Sequence, residues 1–161
     1  MAKPTKLREH TVRIRAPREL VFQMMSHFGR GRLPGDNNES SKVLERDGNR
    51  LVVEFKTKAL FATYTTVEVV NLYPSERITF EHLSGPLHHA SEAFTFEDID
   101  CKETDLSHSG EIIWSTFPFF GWFGGIIYTR PVFERTIVKH MAQVKQAAEA
   151  RAARSRVFPR D

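Results

Sequence analysis

One cysteine in 161 residues removes disulfide frameworks, redox pairs and thiolate metal sites from consideration. Cys101 falls in the polar run Asp98-Ile-Asp-Cys-Lys-Glu103, which reads as a connection between strands, so a free surface thiol in a reducing cytoplasm is the expectation. The chain also lacks any run of the roughly 18 apolar residues that a membrane span needs. Its opening, Met-Ala-Lys-Pro-Thr-Lys, has no apolar core of a signal peptide, which implies a cytoplasmic protein. Glycine is not arranged as a phosphate loop: Gly29, Gly31 and Gly35 do not sit between a strand and a helix in a nucleotide-binding pattern. His88 and His89 are consecutive and would face opposite sides of a strand, and no His-x-x-x-His helix is present, so neither a metal nor any other cofactor is expected. The body carries both signs of charge in near balance. The +3 balance sits at the ends, on Lys3, Lys6 and Arg8 and on Arg151, Arg154, Arg156 and Arg160, which argues against a nucleic-acid partner.

What the chain has instead is rings. Thirteen Phe stand against three Tyr and two Trp, with 40% apolar residues overall, enough for one core. Between tails at 1–8 and 153–161, residues 9–152 read as a single domain. Six aromatic residues and three glycines crowd into Phe117–Tyr128, F-P-F-F-G-W-F-G-G-I-I-Y. That composition leaves three readings open: a packed linker, a lid over an apolar pocket, or a transient membrane contact through Phe119–Phe123.

Periodicity orders the elements. Val12 and Ile14 alternate with Arg13 and Arg15 in a half-buried strand over 9–16. Pro17 suits a first helical position, and Leu20, Val21, Met24, Met25 and Phe28 recur at helical spacing. The period then becomes two: 41–46, an Asp47-Gly48 turn, a strand with Leu51, Val53 and Phe55, then 64–72, 77–83, 88–97 and 104–114. Short connections make neighbours antiparallel. From about residue 130, Phe133, Ile137, Met141, Val144 and Ala148 step by three or four along a long helix to about 152.

The opening H-T-V-R-I-R-A-P-R-E-L-V-F (10–22), the strand, proline turn and strand of Val67–Phe80, and the pair Ala93–Glu97 and Glu103–Leu106 together resemble the START-like or SRPBCC superfamily. The similarity covers nearly the whole chain and is closest to the polyketide cyclase/dehydrase and coenzyme-Q-binding-like subgroup. One departure stands at residues 29–38, G-R-G-R-L-P-G-D-N-N, where that family often carries Asp and Trp-x-Pro. The resemblance implies an α+β helix-grip fold: a curved seven-stranded antiparallel sheet around the C-terminal helix, with a short helical excursion after strand 1. It also implies a cavity for a small hydrophobic or amphipathic ligand such as a lipid, a quinone or a polyketide-like molecule.

Strand alternation names the lining. If Val12, Ile14, Leu51, Val53 and Phe55 face inward together with Val67, Val69, Ile78, Phe80, Phe94, Phe96, Leu106, Ile112 and Trp114, their period-two companions His82, His88, Glu92 and His108 do too. Ligand contacts are accordingly expected from Phe55, Val67, Phe80, His82, His88, Phe94, Phe96 and Trp114, from Phe120, Trp122 and Phe123 above, and from Phe133 and Ile137 on the helix. Centring the last hairpin near Asp100 brings Glu92 to His108 or its neighbour, an acid and an imidazole within an apolar enclosure. Such a pair serves an enzyme of the cyclase or dehydratase type as general acid and base, or a carrier as hydrogen-bonding groups. Ser26 beside His27 and Ser109 beside His108 form no nucleophile–base couple, because neighbours in sequence do not face each other.

Overall fold

The computed structural model describes residues 4–29, 39–59, 62–85, 89–113 and 130–157. Along the chain run β1 (Thr5–Lys6), β2 (His10–Ile14), α1 (Arg18–Met25), β3 (Glu39–Asp47), β4 (Arg50–Ala59), β5 (Ala62–Tyr73), β6 (Arg77–Ser84), β7 (His89–Ile99), β8 (Glu103–Ile113) and α2 (Arg130–Val157). The strands form one sheet in the order β1-β8-β7-β6-β5-β4-β3, with β2 beside β1 on the same edge of β8. All described pairings are antiparallel. This is the helix-grip order expected from sequence, with one addition: Thr5–Lys6 of the N-terminal stretch pairs with Glu111 and Ile112, and Leu7 is buried beside Ala90 and Ile112.

Turn chemistry explains the tight connections. Tyr73-Pro74-Ser75-Glu76 closes with Pro74 at the second position, a left-handed Ser75 (φ 62°) at the third and a Glu76 N–H to Tyr73 O bond of 2.9 Å, a type II turn. Between β7 and β8, Asp100 and Cys101 are both left-handed, and Lys102 N–H donates to Ile99 O, giving the primed turn that suits the twist of the strands. Cys101 is an exposed thiol at that tip, raised in pKa first by the charge of Asp98.

Pro17 precedes the helix instead of opening it; its carbonyl accepts from the N–H groups of Leu20 and Val21, so the ring's fixed φ sets the entry while its missing donor costs nothing. The main core joins one face of the sheet to both helices: Ile14, Leu51, Val53, Val70, Ile78 and Leu106 from strands, Val21 and Phe22 from α1, and Met141, Val144, Ala148 and Ala152 from α2. Helix α2 thus presents the expected stripe, but shifted toward its C-terminal half. Ile137 is only partly buried against this core, and Phe133 packs on the separate Leu7–Ala90–Ile112 cluster.

Two strands carry one residue more than their neighbours. Val43 pairs with Val53 and Glu45 with Val52, leaving Leu44 over; Val67 pairs with Ser84 and Glu68 with His82, leaving Leu83 over. Both spare leucines are exposed, which accounts for two of the large apolar side chains on the surface. No helix among the described residues is long and apolar enough to cross a membrane.

Candidate functional site

The register of β4 to β8 decides which side chains share the core face. Leu51 lies opposite Val70, Val70 opposite Phe80, Phe80 opposite Glu92, and Phe94 opposite His108. Paired residues point to the same side, so a run of rings crosses the sheet. Phe28, after α1, meets Phe55 and Phe80 edge-on at 5.8 and 6.0 Å, Phe80 meets Phe94 at 6.0 Å, and Phe94 lies 4.8 Å from the His108 ring. Of the rings expected as lining, Phe55, Phe80 and Phe94 therefore stand together. Phe96 instead packs edge-on against Phe22 of α1 at 5.3 Å and is part of the core.

Val67 is corrected. Leu51↔Val70 and Leu72↔Ile78 put the other parity of β5 on the core face, so Val67, opposite Glu54 and Ser84, and Val69, opposite Val52 and Glu81, face the far side. The face receives Glu68 in their place, between Val53 and His82.

Glu92 and His108 come together. They sit one register step apart, Glu92 opposite Gly110 and His108 opposite Phe94, and a 2.8 Å hydrogen bond joins His108 Nε2 to Glu92 Oε2. His108 is almost wholly withdrawn from water at 1% side-chain exposure, while Glu92 retains 13%. Gly110 makes room for the carboxylate arm: a Cβ there would lie 2.8 Å from Ser91 O and 3.0 Å from Glu92 Cγ. His82 is buried as well, and Gly85, at φ 144°, leaves its ring a space that a Cβ would invade at 2.8 Å from Cε1.

Two members of this group were not expected from sequence. His140 of α2 lies with its ring 6.4 Å from Phe94, bringing a further imidazole to the same face. Glu68 is the second. Burial first, and then the charges of Glu92 and Glu39, push its carboxyl up to about 7 against a hydrogen bond from Thr66 that opposes the shift. Half of such groups hold a proton near neutral pH. The signal for Glu68 lay in β5 itself: Val67-Val69-Asn71 ends on an amide, whereas Glu68-Val70-Leu72 ends on a leucine, and the parity with the apolar end is the one that packs.

Among the described residues no group of His, Cys, Asp and Glu has a metal-binding arrangement. His88, Trp114, Phe119, Phe120, Trp122 and Phe123 lie outside the described residues, as does the rest of the aromatic segment. Chemically, the face offers an apolar, ring-lined floor with one ionisable pair and one carboxyl able to donate a proton.

No family model matches the sequence, and no curated protein matches it. Solved structures do. The chain is similar to the Zhui aromatase/cyclase from Streptomyces sp. R1128, at 19% identity over 95% of this chain and 96% of that one with a TM-score of 0.72. It is similar to the di-domain ARO/CYC BexL of the BE-7585A biosynthetic pathway, at 18% identity and TM-score 0.79 over 91% of this chain and 50% of that one. A START superfamily protein from Mycobacterium smegmatis follows at 15% identity and 0.64 over 93% and 99%. At such identities likeness speaks to architecture, not to chemistry, and on architecture the neighbours, the strand order and the long last helix agree: this chain has the START-like helix-grip fold.

Proposed function

We propose that the protein binds a small, hydrophobic or amphipathic molecule of the lipid, quinone or polyketide-like kind between the ring-lined sheet face and α2. The carrying observation is the contiguous set Phe28, Phe55, Phe80 and Phe94 ending on a buried hydrogen-bonded imidazole. Apolar area removed from water is worth about 25 cal/mol per Å², so rings supply affinity and the few polar groups supply orientation. The cytoplasm is proposed as the protein's setting. Native mass spectrometry of protein purified without detergent, before and after organic extraction, tests the reading. A stoichiometric extractable adduct supports it; protein that neither carries such a molecule nor quenches its Trp fluorescence on adding apolar ligands refutes it.

A second reading, a cyclase or dehydratase, is favoured by the Glu92–His108 bond. Burying an ionisable pair costs stability unless its geometry is good, and here the sheet, through Gly110, makes the space for it. The structural likeness to aromatase/cyclases fits either reading, since both use the same enclosure.

A further inference from the structure

We infer that Glu68 and Glu92 form a two-carboxyl acid–base couple that enolises a ketone held on the ring-lined face, Glu68 giving a proton to the carbonyl oxygen and Glu92 taking one from the adjacent carbon. The inference rests on the binding reading above and assigns His108 a positioning role. It starts from geometry. Glu68 and Glu92 stand on the same face of alternate strands, β5 and β7, with His82 and Phe80 of β6 as the residues opposite them. The two carboxyls are near enough for the charge of Glu92 to act on Glu68.

Their surroundings differ in a way that divides the labour. Glu92 has an imidazole on Oε2: His108 Nε2 lies 2.8 Å away, and when that nitrogen carries the proton it donates to the carboxylate and fixes its orientation. Glu68 has burial and two neighbouring carboxylates against its ionised form. Pairs of groups whose environments push their affinities for protons apart are suited to opposite roles. The face positions flanking Glu68, namely Val53 and Phe55 on β4, Thr66 and Val70 on β5, and Phe80 and His82 on β6, include no lysine or arginine to neutralise it. Among the described residues, the other titratable groups facing this region include Glu39 of β3 and Tyr64 of β5, both opposite Thr57, His10 of β2, opposite His108, and His140 of α2; α1 contributes apolar side chains.

The step balances without a co-reactant. The C–H bond beside the carbonyl breaks, its proton passes to Glu92, and the electron pair becomes the C=C bond of the enol. The carbonyl oxygen takes the proton of Glu68. Glu92 ends neutral and Glu68 ionised; Glu92, which keeps 13% exposure, exchanges its proton with solvent, and protonation of the enol carbon by Glu92 with return of the hydroxyl proton to Glu68 restores both.

The probe is 1-tetralone, an apolar ring ketone with exchangeable hydrogens beside its carbonyl. Binding is read by Trp fluorescence, and enolisation by loss of the C2 proton signal in D2O by NMR. The wild-type protein should bind the probe and accelerate exchange, with a rate that falls as pH rises through about 7 because Glu68 loses its proton. Glu68→Gln should slow exchange on the order of 10²-fold and remove that falling limb with binding changed less than about twofold. Glu92→Gln should abolish exchange. His108→Gln should slow it while leaving the limb in place. Binding without accelerated exchange, or an unaltered profile in Glu68→Gln, overturns the couple and leaves the binding reading standing; no binding at all removes both. If a variant misfolds, carboxyl ¹³C titration of the wild-type protein decides: Glu68 must titrate near 7, and a value in the ordinary range near 4.5 overturns the inference.

Discussion

Glu149 and Glu68 are both glutamates partly withdrawn from water, yet one is driven down to about 2 and the other up to about 7. Burial acts on both in the same upward direction, so the difference lies in the company each keeps. Glu149 of α2 receives Lys145 Nζ at 2.7 Å and the Arg15 backbone N–H at 3.0 Å, and these outweigh its desolvation. The same seam between β2, β8 and α2 pairs Arg13 with Asp105 and Glu103, gives the Arg13 carbonyl a bond from Lys145, and seats Glu134 on Arg130 and the Arg8 N–H. At the ring-lined face the carboxylates meet imidazoles and each other. The acids that tie these elements together come with cations; Glu68, which faces the proposed ligand, meets other carboxylates, and its carboxyl is pushed up to about 7.

The sharpest way to break the comparison is to remove what both regions share. Met141 of α2 is fully buried in the main core, and Met141→Ala should destabilise by about 2–5 kcal/mol in urea melts. Ile137→Ala, at a partly buried position, should cost less. A Met141 variant within about 0.5 kcal/mol of wild type would mean that the helix does not join the two regions through this stripe.

Next comes the unpaired acid. The folded state raises the Glu68 pKa from 4.5 to about 7, so folding binds its proton more tightly. That contribution is complete below pH 4.5 and is lost as pH climbs through 7, where the ionised group becomes a penalty. Glu68→Gln should therefore leave stability nearly unchanged at pH 4 and raise it by about 2–3 kcal/mol at pH 8, relative to wild type. An equal effect at both pH values would show that the carboxyl is an ordinary solvated one.

The paired acid should behave in the opposite sense and more weakly, because Arg15 and Lys145 remain in contact with water. Its pKa is lowered, so its stabilisation is present above pH 4.5 and disappears as pH falls toward 2. Glu149→Gln should cost about 1–2 kcal/mol at pH 7 and nothing measurable near pH 2, read from melts across that range. The smallest effect belongs to an exposed pair of the seam: Arg13→Ala should leave the melting midpoint unchanged within the precision of a melt, since exposed pairs contribute little. A clear loss there would show that the seam acts as one network.

The sequence showed the fold more fully than the site. Alternation, the Asp47-Gly48 and Pro74-Ser75 turns, and the helical spacing of Met141, Val144 and Ala148 are local signals, and local signals determine strand and helix order. Glu92 and His108 were also legible, because the hairpin turn at Asp100–Cys101 fixes their register. Glu68 was hidden by the valines at 67, 69 and 70, which allow either face of β5 to be the apolar one; packing against Leu51 and Phe80 decides it. His140 follows from the spacing of Ile137, Met141 and Val144, but which helix turn meets Phe94 is a tertiary fact.

Leu83 gives the length of β6 a meaning separate from its composition. Glu68 faces His82 on one side of the spare residue, and Val67 faces Ser84 on the other. Excising Leu83 would leave those two pairings contiguous, with Gly85 still beside His82 and Thr66. Excising Glu81 instead would reverse the face on which His82 emerges. Two deletions two residues apart should thus differ completely in outcome, one absorbed by the strand and the other inverting the site, so that insertions and deletions probe this region more sharply than any substitution at an exposed leucine.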